Sequence, residues 1–230
     1  MEENMKTTGS KGILIVFEGI SGCGKSENVE HIRNWLAHKG YKVGVLEWNS
    51  NRFIRRIVDK ISAFRLLTPE VYSFFQWLSF ILDYFSIIHP QLKKNYILIA
   101  DRYIYTGLTR DSANGASGRL GKILYKKIIK PDLTFFLDVS PKECYKRIQK
   151  RGKTLFYTNK MIRESTIIKN KDLFYLMKLR KEYLHLFSDH NVKNNTQIIW
   201  VSNNKDIVKR CIGNYLAGKM EVSEYVKSLN

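Results

Sequence analysis

"GISGCGKSEN" (residues 19–28) follows the apolar run GILIVFE (12–18) and precedes a segment with helical periodicity that extends to about Lys39. It satisfies the pattern G-x-x-x-x-G-K-[ST], in which backbone N–H groups and a helix N-terminus surround phosphate oxygens. The pattern is specific when an apolar strand precedes it and a helix follows it, as they do here. The stretch therefore predicts a phosphate-binding loop at the end of a buried strand.

The residue types in this loop suggest a division of roles. Glycines are needed where a Cβ would obstruct the turn, Lys25 can reach the β- and γ-phosphates of a triphosphate, and the Ser26 hydroxyl can ligate Mg²⁺. We therefore predict that the loop binds the phosphoryl donor and that Lys25 is also catalytic. The predicted donor-binding residues of the loop are Gly19, Ser21, Gly22, Cys23, Gly24, Lys25 and Ser26.

Composition narrows the class of protein. The chain has 230 residues, 44% of them hydrophobic, and 39 Lys and Arg against 21 Asp and Glu give a net charge of +18, which attracts phosphates, nucleotides or nucleic acids without choosing among them. The three cysteines are far apart, which argues against a disulfide framework or a zinc site. This cysteine pattern fits a reducing cytoplasm, where the protein is expected, and residues 1–11 are polar and predict a disordered leader rather than a signal peptide.

Strand and helix patterns alternate along the chain. Helical segments separate five apolar runs, which implies right-handed crossovers and a parallel sheet with helices on both faces. The predicted fold is an α/β, three-layer αβα sandwich, which the phosphate loop makes one of the P-loop NTPase type, with one domain over 12–219 and a tail at 220–230. The predicted strands are 12–18, 42–47, 96–101, 133–139 and 197–201, and the predicted helices are 25–39, 51–62, 71–88, 141–151, 170–187 and 204–218.

One predicted helix, VYSFFQWLSFILDYFSII (71–88), is apolar over about the 18 residues at which membrane spans begin. Gln76, Ser79 and Asp83 argue against a span. Thr68 can cap the helix and Pro69 can occupy its first position, while His89-Pro90 predicts its end. We therefore expect a buried or dimer-forming helix and no membrane association.

Asp101-Arg102-Tyr103 follows the third predicted strand. The carboxyl ends of parallel strands form the ligand-binding edge of such a sheet, so these residues should lie beside the phosphate loop. Asp101 could hold Mg²⁺ through water or orient the attacking oxygen, and Arg102 could clamp an acceptor phosphate through its planar fork. The alternative is a structural ion pair at the end of a strand.

Several motifs together resemble the thymidylate kinase family over residues 12–201. They are FEGISGCGKS (17–26), HPQLKKNYILIADRYIYT (89–106), KPDLTFFLDVSPKECYKRIQKRG (130–152) and LFYLMKLRKEYLHL (173–186), in the family's order. The resemblance implies a kinase domain with a five-stranded P-loop core, an ATP and Mg²⁺ donor site, a nucleoside monophosphate acceptor and a short basic lid, here near 152–168. It also implies homodimers that pack through long apolar helices, here 71–88.

The acceptor side departs from the family pattern. Glu47-Trp48-Asn49-Ser50 stands in place of an arginine-containing loop, and Arg52, Arg55 or Arg56 could supply the lost charge. In register, the family's base-reading arginine falls on Phe80, its stacking aromatic falls on Gln76, and Arg110-Asp111 forms a new charged pair. An alignment slip of one turn, or a surface pair, is the alternative. The predicted acceptor-binding residues are Asn49, Arg52, Gln76, Phe80, Arg102, Tyr103, Arg110 and Asp111.

The lid region contributes three candidate arginines. Arg147 and Arg151 lie near a helix end, and Arg163 lies in the aperiodic stretch. We predict that Arg151 is catalytic and that Arg147 and Arg163 bind ATP. The alternative for the first two is a simple preference of cations for a helix C-terminus.

The predicted function is an ATP- and Mg²⁺-dependent phosphotransferase that transfers the γ-phosphoryl group to a nucleoside or deoxynucleoside monophosphate such as dTMP. A divergent kinase that acts on a nucleoside, a modified nucleotide or a biosynthetic intermediate is the first alternative. The second is a nucleotide-dependent nucleic-acid-binding protein, which the net charge permits. The sequence has no visible RNP or helix-turn-helix signature, so no specific nucleic acid is expected.

Overall fold

A computed structural model describes residues 12–64, 66–202 and 204–218. The predicted leader at 1–11 and tail at 220–230 lie outside the described residues. The strands form one five-stranded sheet in the order β2-β3-β1-β4-β5, and each neighbouring pair is parallel. The predicted α/β class is therefore confirmed. The strands are β1 (Ile13–Glu18), β2 (Val43–Glu47), β3 (Ile97–Asp101), β4 (Leu133–Leu137) and β5 (Ile198–Val201).

The predicted helices are present, together with shorter ones that the sequence did not indicate. Among the latter, α5 and α6 follow β3, and α10 precedes β5, while α8 lies inside the predicted lid. The helices are α1 (Lys25–His38), α2 (Arg52–Ala63), α3 (Pro69–Asp83), α4 (His89–Lys93), α5 (Ile104–Asn114), α6 (Arg119–Lys127), α7 (Pro141–Lys150), α8 (Lys160–Glu164), α9 (Lys171–Ser188), α10 (His190–Asn195) and α11 (Lys205–Leu216).

Glycines obscured α5 and α6 in the sequence. A Cβ at Gly107 would lie 2.4 Å from the ring of Trp77, and a Cβ at Gly121 would lie 2.3 Å from the same ring. Both residues are therefore helical glycines that make room for a buried tryptophan of α3. Glycine usually marks a loop, but here close packing explains it.

The end predicted for the apolar helix before His89-Pro90 is wrong. The helix continues from α3 through a π-helical turn, Tyr84–Ile88, into α4, which ends at Lys93. A proline inside a helix lacks an N–H donor and crowds the carbonyl four residues earlier. The wider π turn directly before Pro90 changes the hydrogen-bonding pattern there, which allows the chain to remain helical.

One face of this long helix is buried in the core of the domain. By length and composition alone, Pro69–Lys93 could cross a membrane, with a mean hydropathy of 1.3 and 39% of the apolar window buried. Trp77 and Phe80 are buried, whereas Phe74, Leu82 and Phe85 are exposed. The helix therefore has one face in the core of the domain and an apolar face on the surface.

The sheet register brings the predicted site together. Phe17 pairs with Asp101, so the ends of β1 and β3 lie side by side. The loop that follows β1 and the residues that follow β3 must then start at the same edge of the sheet. That edge is the one at which parallel α/β sheets bind ligands.

Candidate active site

The loop after β1 has a backbone conformation that favours glycine at three positions. Gly19, Gly22 and Gly24 have φ values of 139°, 87° and 102°, which favour glycine. A Cβ at Gly22 would also lie 2.6 Å from the carbonyl oxygen of Cys144 at the start of α7. Gly22 is therefore required both by its own conformation and by its close approach to a neighbouring helix.

Lys25 is held inside this loop. Its side chain is buried, and Nζ donates to the carbonyl oxygens of Gly19 at 3.1 Å and Ile20 at 2.9 Å. Burial lowers the pKa of Lys25 from its ordinary value, and the nearby Arg102 adds to the effect. Bound phosphate oxygens would favour the charged form of the lysine, because an opposite charge nearby offsets desolvation.

Ser26 and Asp101 meet at the sheet edge. Ser26 Oγ donates to Asp101 Oδ2 at 2.8 Å, although the two residues are 75 positions apart. A hydroxyl beside a carboxylate offers oxygen ligands of the kind that Mg²⁺ prefers. The described residues contain no cluster of three or more His, Cys, Asp or Glu side chains suited to a metal. This pair fits Mg²⁺ well, since Mg²⁺ commonly uses one or two protein ligands together with substrate phosphates and waters.

Arg102 connects the end of β3 to the phosphate loop. Its Nη1 donates to the Gly19 carbonyl oxygen at 2.8 Å, and its Nη2 donates to Ser21 Oγ at 3.3 Å. Arg102 itself has a φ of 78°, which is uncommon for a residue with a side chain. The surrounding structure must hold this backbone conformation in place.

Glu18, which the sequence analysis did not select, anchors the segment that follows Arg102. This fully buried carboxylate accepts hydrogen bonds from Tyr103 N at 2.8 Å, Thr106 Oγ1 at 2.7 Å and Tyr183 OH at 2.8 Å. Burial raises the pKa of Glu18, and the hydrogen bonds and the charge of Arg102 oppose that rise. The feature of the sequence that points to Glu18 is its position as a single carboxylate at the end of an otherwise apolar strand.

A cavity of about 540 Å³ opens beside these groups. Its walls come from the phosphate loop, the β2–α2 connection, α3, α5 and the segment after α7. Among the predicted residues, Asn49, Gln76, Arg102, Arg110 and Arg151 line it together with Lys25, Ser26 and Asp101. The remaining predicted acceptor and lid residues lie elsewhere: Arg52, Phe80, Tyr103, Asp111, Arg147 and Arg163 are outside the lining.

Phe80 occupies the core. It is 2% exposed, stacks on Trp48 with ring centroids 5.2 Å apart, and contacts the rings of Trp77 and Tyr103. Tyr103 is also fully buried. The sequence predicted that both residues contact the acceptor. In the structure they lie in the core and outside the cavity lining.

The side chains of Arg110 and Asp111 lie in different environments. Arg110 lines the cavity and donates to Tyr72 OH at 3.3 Å. Asp111 is buried and accepts from Trp77 Nε1 at 2.7 Å and from the side-chain amide of Gln76. Consecutive helical residues point in different directions, so the expected charged pair becomes one cavity residue and one core residue.

Of the three arginines offered in place of the missing one, Arg55 lines the cavity, whereas Arg52, the one selected for acceptor binding, does not. Arg52 is exposed and lies outside the cavity lining, whereas Arg55, one turn further along α2, lines the cavity. Arg55 Nη2 donates to the Asn49 carbonyl oxygen at 2.9 Å. Arg55 is therefore the better placed of the two to replace the missing arginine.

Comparison with known proteins identifies the family. The thymidylate kinase family model matches residues 17–212. The chain belongs to the thymidylate kinase family. This confirms the predicted family and, with it, the P-loop kinase fold and the predicted enzyme class, a nucleoside monophosphate kinase.

Several thymidylate kinase relatives are similar along much of the chain. "Probable thymidylate kinase 2" of Saccharolobus solfataricus is 35% identical over 140 residues, which cover 61% of this chain and 65% of that protein. "Probable thymidylate kinase" of Archaeoglobus fulgidus is 36% identical, over 75% of this chain and 81% of that protein. "Thymidylate kinase" of Mycoplasma capricolum is 30% identical, over 85% of this chain and 89% of that protein.

The arginines predicted for a thymidylate kinase lid fall into two groups. Arg147 Nη1 donates to the Gly22 carbonyl oxygen at 3.4 Å, and Arg151 Nη2 contacts Glu27 Oε1 at 3.3 Å. These two arginines lie beside the phosphate loop. Arg163 is exposed on α8 and does not line the cavity. Its predicted role in ATP binding would require movement of the lid.

Proposed function

We propose that this protein transfers the γ-phosphoryl group of ATP to a nucleoside monophosphate, with dTMP as the leading acceptor. The observation that carries the proposal is the convergence of Lys25, Ser26, Asp101 and Arg102 on one cavity. A phosphate loop alone would suit many nucleotide-binding proteins. A carboxylate and an arginine beside it are what transfer to a second substrate requires.

The donor half would bind the triphosphate through the loop amides, Lys25 and the N-terminus of α1. Ser26 and Asp101 would hold Mg²⁺, directly or through water. When bound, Mg²⁺ neutralises charge on the phosphate oxygens and helps to fix their orientation. Membership of the thymidylate kinase family supports this assignment of ATP and Mg²⁺.

The acceptor half would place the attacking phosphate oxygen by means of positive charge. Arg102 already lies against the phosphate loop, so it can hold an acceptor phosphate close to the transferred group. Arg151 lines the same cavity and can neutralise charge that develops during transfer. Catalysis by positioning and electrostatics needs no covalent intermediate on the protein.

A coupled assay of ADP release would test the proposal across a panel of nucleoside and deoxynucleoside monophosphates. We expect release above the no-acceptor rate for at least one monophosphate, and loss of that release in Asp101→Asn. Release no faster than the no-acceptor control for every monophosphate would contradict the proposed function. If a metabolite extract then stimulated release, the divergent kinase would replace it.

A cytoplasmic homodimer is also part of the proposal. Phe74, Leu82 and Phe85 form an exposed apolar face on the long helix, and a second copy of the chain could cover it. Phe85→Glu should shift sedimentation from dimer to monomer without loss of helical content. A wild-type protein that sediments as a monomer at micromolar concentration would contradict the dimer.

A further inference from the structure

Three buried polar atoms of residues that line the cavity have no hydrogen-bond partner among the described residues. They are Gln76 Oε1, Ser79 Oγ and Trp48 Nε1. All three residues are among those that line the cavity, and they are only 1%, 1% and 6% exposed. Buried polar groups in folded proteins almost always have partners, so these three atoms can bond a ligand or a water held in the cavity.

The orientation of Gln76 is fixed by its neighbours. Its Nε2 donates to Oδ1 of Asp111 and to the carbonyl oxygen of Gly107 at 3.5 Å. Trp77 Nε1 donates to the other oxygen of Asp111, which holds the carboxylate in place. A carboxylate and a carbonyl accept hydrogen bonds, so the amide nitrogen must face them and Oε1 remains as the free acceptor.

The two flanking groups can donate. Ser79 lies one helical turn after Gln76 on the same face of α3, and its hydroxyl can donate or accept. Trp48 follows β2 and packs against Trp77 and Phe80 of α3, and its indole N–H can only donate. The cavity wall therefore offers one fixed acceptor together with two available donors.

This set is complementary to the imide edge of thymine or uracil, which carries an N3–H donor between two carbonyl acceptors. Resting on the proposed function, we propose that Gln76 Oε1 accepts the N3–H of a thymine or uracil monophosphate while Ser79 and Trp48 donate to the flanking carbonyls. Gln76 is then a specificity-determining residue, and it takes over base recognition in a chain where Phe80 stands at the family's arginine position.

The same set would reject cytosine. Cytosine has an unprotonated N3 acceptor at the centre of the equivalent edge and an amino donor on one side. Gln76 Oε1 would then face another acceptor, and its amide cannot flip without losing both bonds from Nε2. A site with fixed polar groups discriminates strongly against a base that leaves them unpaired.

The first test compares acceptors on the wild-type protein. We expect dTMP and dUMP to bind and to be phosphorylated, and we expect N3-methyl-dTMP and dCMP to lose about 10²-fold in kcat/KM. The dissociation constants of the same nucleotides, measured without ATP, should show the same order. Use of N3-methyl-dTMP or dCMP within threefold of dTMP would overturn the inference.

The second test assigns the effect to Gln76. Gln76→Met keeps the length of the side chain and removes the acceptor, so the preference for dTMP over N3-methyl-dTMP should shrink at least tenfold. Gln91→Met is the matched control, because Gln91 Oε1 is also buried without a partner among the described residues but lies outside the cavity lining. It should keep the wild-type preference.

The outcomes separate the inference from the proposed function. An undiminished preference in Gln76→Met would show that another residue reads the edge, which overturns the assignment. If Gln76→Met failed to fold, the same comparison would be made with Ser79→Ala, whose preference should shrink and whose unchanged preference would count against the imide site. If the wild-type protein neither bound nor phosphorylated any monophosphate, the proposed function and the inference would fall together.

Discussion

The two halves of the cavity are built in different ways. The phosphate-binding half comes from one continuous loop, residues 19–26, and from the end of β3, and most of its contacts use backbone atoms or a single lysine. The half proposed to bind the acceptor, called the acceptor half below, comes from residues of α2, α3 and α5 that are far apart in the sequence. Backbone recognition of phosphate depends on local conformation, whereas side-chain recognition of a base depends on how the helices pack.

The largest effect should come from the phosphate-binding half. Lys25→Met removes the only buried ammonium in the loop, and we expect kcat to fall by about 10³-fold because one positioned donor near transferred charge has this weight. Steady-state ADP release measures the change. The exposed Lys142→Met on α7 is the control and should retain activity. A fall of less than tenfold in Lys25→Met would show that the loop amides suffice.

A change in the acceptor half should alter the KM for one substrate alone. Arg110→Met removes a cation from the cavity wall, and we expect the KM for the monophosphate to rise about tenfold while the KM for ATP stays constant, since lost ground-state binding appears in KM. Arg119→Met, exposed on α6, provides the control. Equal rises in both KM values would contradict the separation of the two halves.

The buried Asp111 should make stability depend on pH. Burial raises the pKa of Asp111 above its ordinary value of 3.8, while Trp77 and Gln76 oppose the rise through hydrogen bonds. A carboxyl with a raised folded pKa stabilises the fold below the unfolded value, and that contribution is lost as pH increases through the folded pKa. Asp111→Asn should therefore gain stability relative to wild type as pH rises above about 3.8, by at most about 1.4 kcal/mol per pH unit.

Urea unfolding of both proteins across this acidic range measures the effect. The absolute stability of Asp111→Asn is expected to be lower, because the amide cannot accept from both Gln76 and Trp77 in the same way. The prediction concerns how the difference in unfolding free energy between Asp111→Asn and wild type changes with pH. Parallel profiles for the two proteins would mean that Asp111 does not retain its proton more strongly in the folded state.

The smallest effect is expected at the rim of the phosphate loop. Glu27 contacts Arg151 at 3.3 Å and Lys205 at 3.8 Å, and its side chain is 53% exposed. Such surface pairs contribute about 0–1 kcal/mol, so Glu27→Thr should change the dissociation constant for ATP by less than about fivefold. Glu30→Thr on the same helix is the control. Tenfold tighter ATP binding by Glu27→Thr alone would mean that Glu27 repels the phosphates.

The same contrast explains what the sequence could predict. The positions of the loop, Ser26 and Asp101 could be predicted because they follow from local features: the glycine spacing after β1 and the end of β3. Phe80 and Asp111 were not, since a count along a helix does not show which side chains a neighbouring tryptophan covers. Gly107 and Gly121 concealed two helices, because the ring of Trp77 that needs them is distant in sequence. Glu18 was missed because its side-chain partners, Thr106 of α5 and Tyr183 of α9, are distant in sequence.

The central claim is transfer between two substrates in one cavity, and a radiolabel can follow it directly. The protein would be incubated with γ-³²P-labelled ATP, Mg²⁺ and dTMP, and the products separated by chromatography. We predict that the label appears in dTDP and that little appears as inorganic phosphate. Label found only in inorganic phosphate, or remaining in ATP, would contradict the claim.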